Sequence, residues 1–173
     1  MLENKLNKIK ILNYYLFVFF ICSVGGYIGE IIFMYFLRNK IINPGSMLGP
    51  WLPIYGIGAI IIFFMVKRLK KFKFWQNAIL LFCITSIVEY IGAFLTNKIL
   101  KKVYWNYSKL FLNLHGYICL SMSLLFTAIG LVTIYFIKPK IDKMFINKYN
   151  VMKIINAILI ILFCTNIILE VIK

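Results

Sequence analysis

Residues 11–37 read ILNYYLFVFFICSVGGYIGEIIFMYFL, an apolar run with one charged side chain, Glu30. A hydrocarbon core about 30 Å thick needs about 20 helical residues, and this run exceeds that length. It is apolar all round, unlike the one-sided stripe of a surface helix in a water-soluble domain. Four further runs follow at 48–66, 77–96, 117–137 and 154–172. The 173 residues are 62% hydrophobic and 14% charged, against roughly 45–50% and about 25% in soluble domains. The expected fold is therefore all-α, a polytopic transmembrane helix bundle of about five spans, forming a single integral membrane domain over residues 1–173. The basic start (Lys5, Lys8, Lys10) leads into a stretch too long for a signal core, with no small-residue cleavage site. Residues 11–37 thus read as the first span rather than a cleaved leader.

The second run departs from the others. Pro44, Pro50 and Pro53 lie in its approach, with Gly45, Gly49, Gly56 and Gly58 around them. Regular helix is disfavoured before Pro53, and residues 54–66 alone are too short to cross. Either the helix borrows from residues 67–71, whose lysines can snorkel, or the Pro/Gly segment itself enters the membrane, which requires burial in protein or a wet cavity.

Net charge is +15, but the basic residues sit between the apolar runs, as juxtamembrane charge does, rather than along a solvated stripe. No nucleic-acid partner is expected; the bilayer is the partner. With five spans, 13 of the 20 Lys and Arg residues fall on one side: three in the N-tail, five at 67–73 and five at 138–153. The positive-inside rule places the N-terminus in the cytoplasm and the C-terminus outside. Two aromatic- and glycine-rich loops, 43–58 and 104–116, then face outward, and Trp51, Tyr55, Tyr104, Trp105 and Tyr107 suit an interfacial belt.

Of five acidic residues, Glu3 and Asp142 lie in basic segments and read as solvated, whereas Glu30, Glu89 and Glu170 lie inside spans. A carboxylate at that depth is costly and is retained mostly where it pairs, binds or relays protons. Glu30 and Glu89 both fall in the outer half of their spans. A polar pocket is expected there, lined by Glu30, Glu89, Tyr55, Asn113 and His115, these being the candidates for contacting substrate or protons. The alternative for the two glutamates is a structural role, pairing with amides, hydroxyls or lysines. Pro53 suits the first turn of a helix, whose positive end would face this pocket, with Glu30 as a partner. Gly25-x-x-x-Gly29 would admit a close helix. Glu30 to Gly56 and Glu89 to Gly116 have nearly equal spacings, suggesting a parallel repeat of helix–loop–helix units.

Catalytic residues are not assignable. The chain has no P-loop, His-Glu-x-x-His or Gly-x-Ser-x-Gly pattern, and no acid is assigned to orient His115 beside Ser108. The four cysteines (22, 83, 119, 164) lack zinc spacing and read as apolar packing residues. No metal and no cofactor is expected.

Three blocks resemble a bacterial membrane-protein family, the type IV ABC-transporter permeases. Gly26-Tyr27-Ile28-Gly29-Glu30 is similar to its Gly-Trp-x-x-Glu. Residues 43–56, with Gly49-Pro50-Trp51-Leu52-Pro53-Ile54-Tyr55-Gly56, are similar to its Asn-Arg-Gly and Gly-Pro-x-x-Pro-Ile-Tyr-Gly block. Glu89-Tyr90, Trp105-Asn106-Tyr107-Ser108 and Asn113-x-x-Gly116 resemble the third. Asn106 stands where the family usually has Asp, and Pro44 and Tyr117 where it has Arg. The resemblance implies a multi-pass protein of the bacterial cytoplasmic membrane acting in transport, with an ATPase, other transporter subunits or further copies of itself as partners. A membrane-embedded enzyme on lipid or envelope precursors, and a non-catalytic accessory or sensor subunit, are the alternative readings.

Overall fold

The computed structural model describes residues 7–41, 43–45, 47–69, 71–99 and 101–172; the N-tail residues Glu3 and Lys5, and Lys70 of the basic stretch, lie outside these. Among the described residues six helices carry the fold: α1 (Lys8–Arg38), α2 (Pro53–Leu69), α3 (Phe74–Lys98), α4 (Leu120–Val132), α5 (Lys138–Asn147) and α6 (Tyr149–Ile172). A two-residue hairpin, β1 (Asn113–Leu114) with β2 (Ile118–Cys119), is antiparallel, Asn113 opposite Cys119. This is the expected all-α polytopic bundle.

Four helical stretches have the length and apolar composition to cross a membrane, Lys8–Phe36, Phe74–Lys98, Leu120–Asn147 and Tyr149–Glu170, and Pro53–Val66 is a shorter apolar helix. The ends follow local chemistry. Asn7 caps α1, its side chain accepting from the Lys10 N–H at 2.9 Å, which satisfies one donor of the first turn. Asn39, left-handed at φ 51°, closes the other end by donating to the Tyr35 carbonyl, as αL caps do.

The fourth span departs from expectation. It was expected to end at 137 before a basic loop; instead the helix runs on through residue 147, with Thr133–Ile137 in π-helical form. Pro139 explains this. A proline ring inside an α-helix clashes with the carbonyl four residues back and supplies no N–H. Widening the preceding turn, with Lys138 N–H donating to the Thr133 carbonyl, lets the helix pass the proline.

The chain forms two compact units, Met1–Ile60 with Pro139–Lys173, and Ile61–Lys138. In the first, α1 packs on α6. Tyr14, Phe17, Val18 and Phe20 are buried from α1, Ile141 and Phe145 from α5. Tyr14 meets Phe145 edge-to-face at 5.2 Å, and its hydroxyl donates to the Asp142 carboxylate. Asp142 is therefore not a solvated charge, a correction to the sequence reading: α5 turns that face toward α1. Asn156 of α6 donates to the Asn13 carbonyl at 2.7 Å. In the second unit α3 packs on α4. Leu81 is fully buried and lies against Gly130, where an added Cβ would come within 3.3 Å of it. Tyr135 stacks on Phe74 and accepts a hydrogen bond from Asn77 at 2.8 Å.

Candidate functional site

In the first unit the Pro/Gly segment folds back along α1. Gly49 and Trp51 close a three-residue turn about Pro50, Trp51 N–H to Gly49 carbonyl at 2.8 Å, the inverse γ form that proline's fixed φ favours. Leu52 then donates to the Ser23 carbonyl at 3.3 Å, and Ser23 is the middle residue of α1. Non-helical backbone thus reaches mid-helix level before α2 begins at Pro53. Trp51 is 3% exposed and meets Phe20 at 5.8 Å and Phe163 at 5.6 Å, both edge-to-face. It is a core residue, not part of an interfacial belt; the fold-back carries it inward.

Glycines make that approach work. A Cβ on Gly26 would lie 2.3 Å from the Tyr55 ring, one on Gly56 would lie 2.6 Å from the Phe19 carbonyl oxygen, and one on Gly49 would lie 2.1 Å from Trp51 Nε1. Gly25 and Gly29 meet nothing within 4 Å, so the close contact expected at Gly25-x-x-x-Gly29 is made by Gly26 and Gly56 instead. With Gly26 beneath its ring, Tyr55 extends its hydroxyl to Glu30 and donates at 2.5 Å, within the range of a charge-assisted O–H to carboxylate bond. Tyr55 is the third residue of α2, so Glu30 is tied to the positive end of that helix.

In the second unit the loop before α4 is a hydrogen-bonded clasp. Asn106 Oδ1 accepts from Ser108 N–H at 2.9 Å, an Asx turn. Tyr107 N–H donates to the Gly116 carbonyl at 2.8 Å. The Asn113 amide donates to the carbonyls of Ser108 (3.2 Å) and Leu110 (2.9 Å) and accepts from Gly116 N–H at 3.2 Å. Trp105 Nε1 donates to the Tyr117 carbonyl at 3.0 Å. Gly116 sits at φ 70°, and a Cβ there would lie 2.7 Å from Asn106 Oδ1, so glycine is required twice over. Tyr90, His115 and Tyr117 form an aromatic cluster, with Tyr90 Oη 2.9 Å from His115 Nδ1. Glu89, 5% exposed, is buried on α3.

The structure brings Glu30 and Tyr55 together. Glu89, Asn113 and His115 belong to the second unit. The spacing repeat has no common geometry: Gly56 lies inside α2, whereas Gly116 is a left-handed turn residue. Three features escaped the sequence reading: the buried Trp51, the Tyr90–His115 pair, and Tyr14 on Asp142. Tyr90 adjoins a predicted site residue and so carried a signal; the long-range partners of Trp51 and Tyr14 did not.

Long apolar helices, a Pro/Gly segment folded to mid-helix level and a carboxylate held within a span define a polytopic helical membrane protein with polar chemistry among its helices. The chain belongs to the family described as Putative ABC-transporter type IV, which matches residues 17–171. Membership places it among membrane transport proteins in general. No curated protein and no solved structure matches it significantly.

Proposed function

We propose that the chain is a permease-like subunit of the bacterial cytoplasmic membrane, and that Glu30, held by Tyr55, contacts the transported solute or carries a proton. The observation that carries this is the 2.5 Å bond between the Tyr55 hydroxyl and a carboxylate within a helix of spanning length. A carboxylate at that depth is costly, and among the described residues Tyr55 is the polar partner that the geometry gives it. Such a group favours a cation or a proton over an anionic solute. Asn113 acts here as the clamp of its loop rather than as a ligand, while Glu89 and His115 are secondary candidates. Little volume is enclosed by so few helices, which supports work with an ATPase, with other subunits or as a homo-oligomer.

The test is proton and cation flux in liposomes containing the purified chain with whichever subunits co-purify. Glu30→Gln is expected to reduce flux on the order of 100-fold, and Tyr55→Phe to reduce it less, with membrane insertion and thermal stability near wild type. Equal loss of folding in both variants would make the pair structural, and undiminished flux in Glu30→Gln would remove the assignment.

A further inference from the structure

One end of the first unit carries a basic surface in which lysines outnumber the local acid. Lys140 and Lys143 are exposed on α5, Lys148 is exposed in the break before α6, and Lys153 is exposed one turn into α6. Lys10 of α1 joins them, its ammonium 5.0 Å from the centre of the Tyr149 ring, a cation–π distance. Lys153 lies four residues beyond Tyr149, on the same helical face. Asp142 lies between two of these lysines on α5, its carboxylate accepting the Tyr14 hydroxyl, and leaves the surface with a net excess of positive charge. The helix beneath is fixed: Ile141 is 5% exposed and Phe145 fully buried, with Phe145 ringed by Tyr14, Phe17 and Tyr149 at 5.2, 6.2 and 5.5 Å. α5, the end of the helix that begins at Leu120, thus holds its apolar face on α1 and presents lysines on the other.

We propose that this surface is a binding site for anionic phospholipid headgroups, with α5 as its platform. Charge complementarity selects the occupant: lysines of α1, α5 and α6 lie at the ends of long apolar helices, the level expected for phosphodiester headgroups. A headgroup bearing two phosphates matches such a spread of ammonium groups better than one. The site is separate from Glu30 and does not depend on the transport reading.

The experiment uses the full chain in detergent, with bound lipid counted by native mass spectrometry and stability followed by melting. The probes are a neutral phosphatidylcholine, a diphosphatidylglycerol and inorganic phosphate. The wild type is expected to retain the diphosphatidylglycerol, to melt higher with it, and to ignore the other two. The combined variant Lys140→Gln, Lys143→Gln and Lys148→Gln is expected to bind it on the order of 100-fold more weakly, at about 1 kcal/mol per lysine. A control variant, Lys98→Gln, Lys101→Gln and Lys102→Gln, is expected to bind as wild type. Helicity by circular dichroism shows that each variant is folded, and an unfolded triple variant is replaced by the three single variants, whose losses are expected to sum. The proposal is overturned if the control loses as much, if the α5 variant loses nothing, or if phosphate stabilises as well as the lipid. It is also overturned if neutral and anionic lipids bind alike, which would leave the lysines to an acidic protein surface.

Discussion

At the residue scale, two kinds of glycine occur on α1, and they separate by what surrounds them. Gly26 faces the Tyr55 ring and its counterpart Gly56 faces the Phe19 carbonyl, whereas Gly25 and Gly29 face open space. Overpacking costs about 1–3 kcal/mol, and the Phe19 backbone cannot swing aside. Gly56→Ala is thus expected to lower the melting temperature in detergent and to weaken the Tyr55–Glu30 bond. Gly25→Ala is expected to be neutral or stabilising by up to about 1 kcal/mol, the helix-propensity difference. Equal effects would show that α1 and α2 do not meet through Gly56. The clasp before α4 makes a second contrast. Asn106 acts through Oδ1, which aspartate also possesses, so Asn106→Asp is expected to keep the turn. The departure from the family's usual residue then changes charge but not local structure. Asn113→Ala removes three hydrogen bonds, each worth about 0.5–1.5 kcal/mol, and is expected to open the 105–117 loop to proteolysis while Asn106→Asp does not.

At the scale of the element, Pro139 and its π turn set the phase of α5. Replacing proline by alanine inside a helix ordinarily gains about 3 kcal/mol. Here Pro139→Ala is expected to fall short of that gain. Returning the π turn to α form adds about one residue's worth of winding and is expected to rotate α5 by about 100°, lifting Ile141 and Phe145 from their sites. The check is bis-maleimide cross-linking between Phe17→Cys and Phe145→Cys in a background without the native cysteines: these positions are expected to link with Pro139 present and to lose the link in Pro139→Ala. Unchanged yield would mean that packing, not the π turn, fixes α5. The same region marks the limit of what the sequence discloses. Hydropathy alone located all five apolar runs, because lipid burial needs only length and composition. The start of α2 at Pro53 was also readable, since proline chemistry is local; Glu30 and Tyr55 were read only as two members of one pocket, and their direct pairing was not. Trp51 and Asp142 were misread because their residue types, an aromatic beside prolines and an acid among lysines, suit a surface equally well. Only partners about 30 to 130 positions away decide otherwise.

At the scale of the whole molecule, the shortness of α2 raises a question of parity that the fold-back answers. α2 has 17 residues, about 25 Å at 1.5 Å each, less than the hydrocarbon core. A helix of that length starting at one face would stop inside, and the chain would then cross four times and return to its starting side. α2, however, starts near the level of Ser23, the middle of α1: Leu52 donates to the Ser23 carbonyl, and Tyr55 and Gly56 lie against Gly26 and Phe19. From mid-level about 15 Å suffices to leave the core, so α2 exits with length to spare. Residues 47–52 are non-helical backbone whose end packs on α1 through Trp51 and Leu52, the setting in which such backbone is tolerated at depth. Five crossings are expected on this reading, with the two ends of the chain on opposite sides. The excess of lysine in the N-tail, at 67–73 and at 138–153 leads to the expectation of a cytoplasmic N-terminal end. A phosphatase active only outside and a fluorescent protein active only inside, each fused in turn after Lys73, Lys109, Asn147 and Lys173, are expected to report inside, outside, inside and outside. A cytoplasmic report at Lys173 together with an outside report at Lys73 would mean that α2 turns back without crossing, and the mid-level start of the helix would lose its meaning.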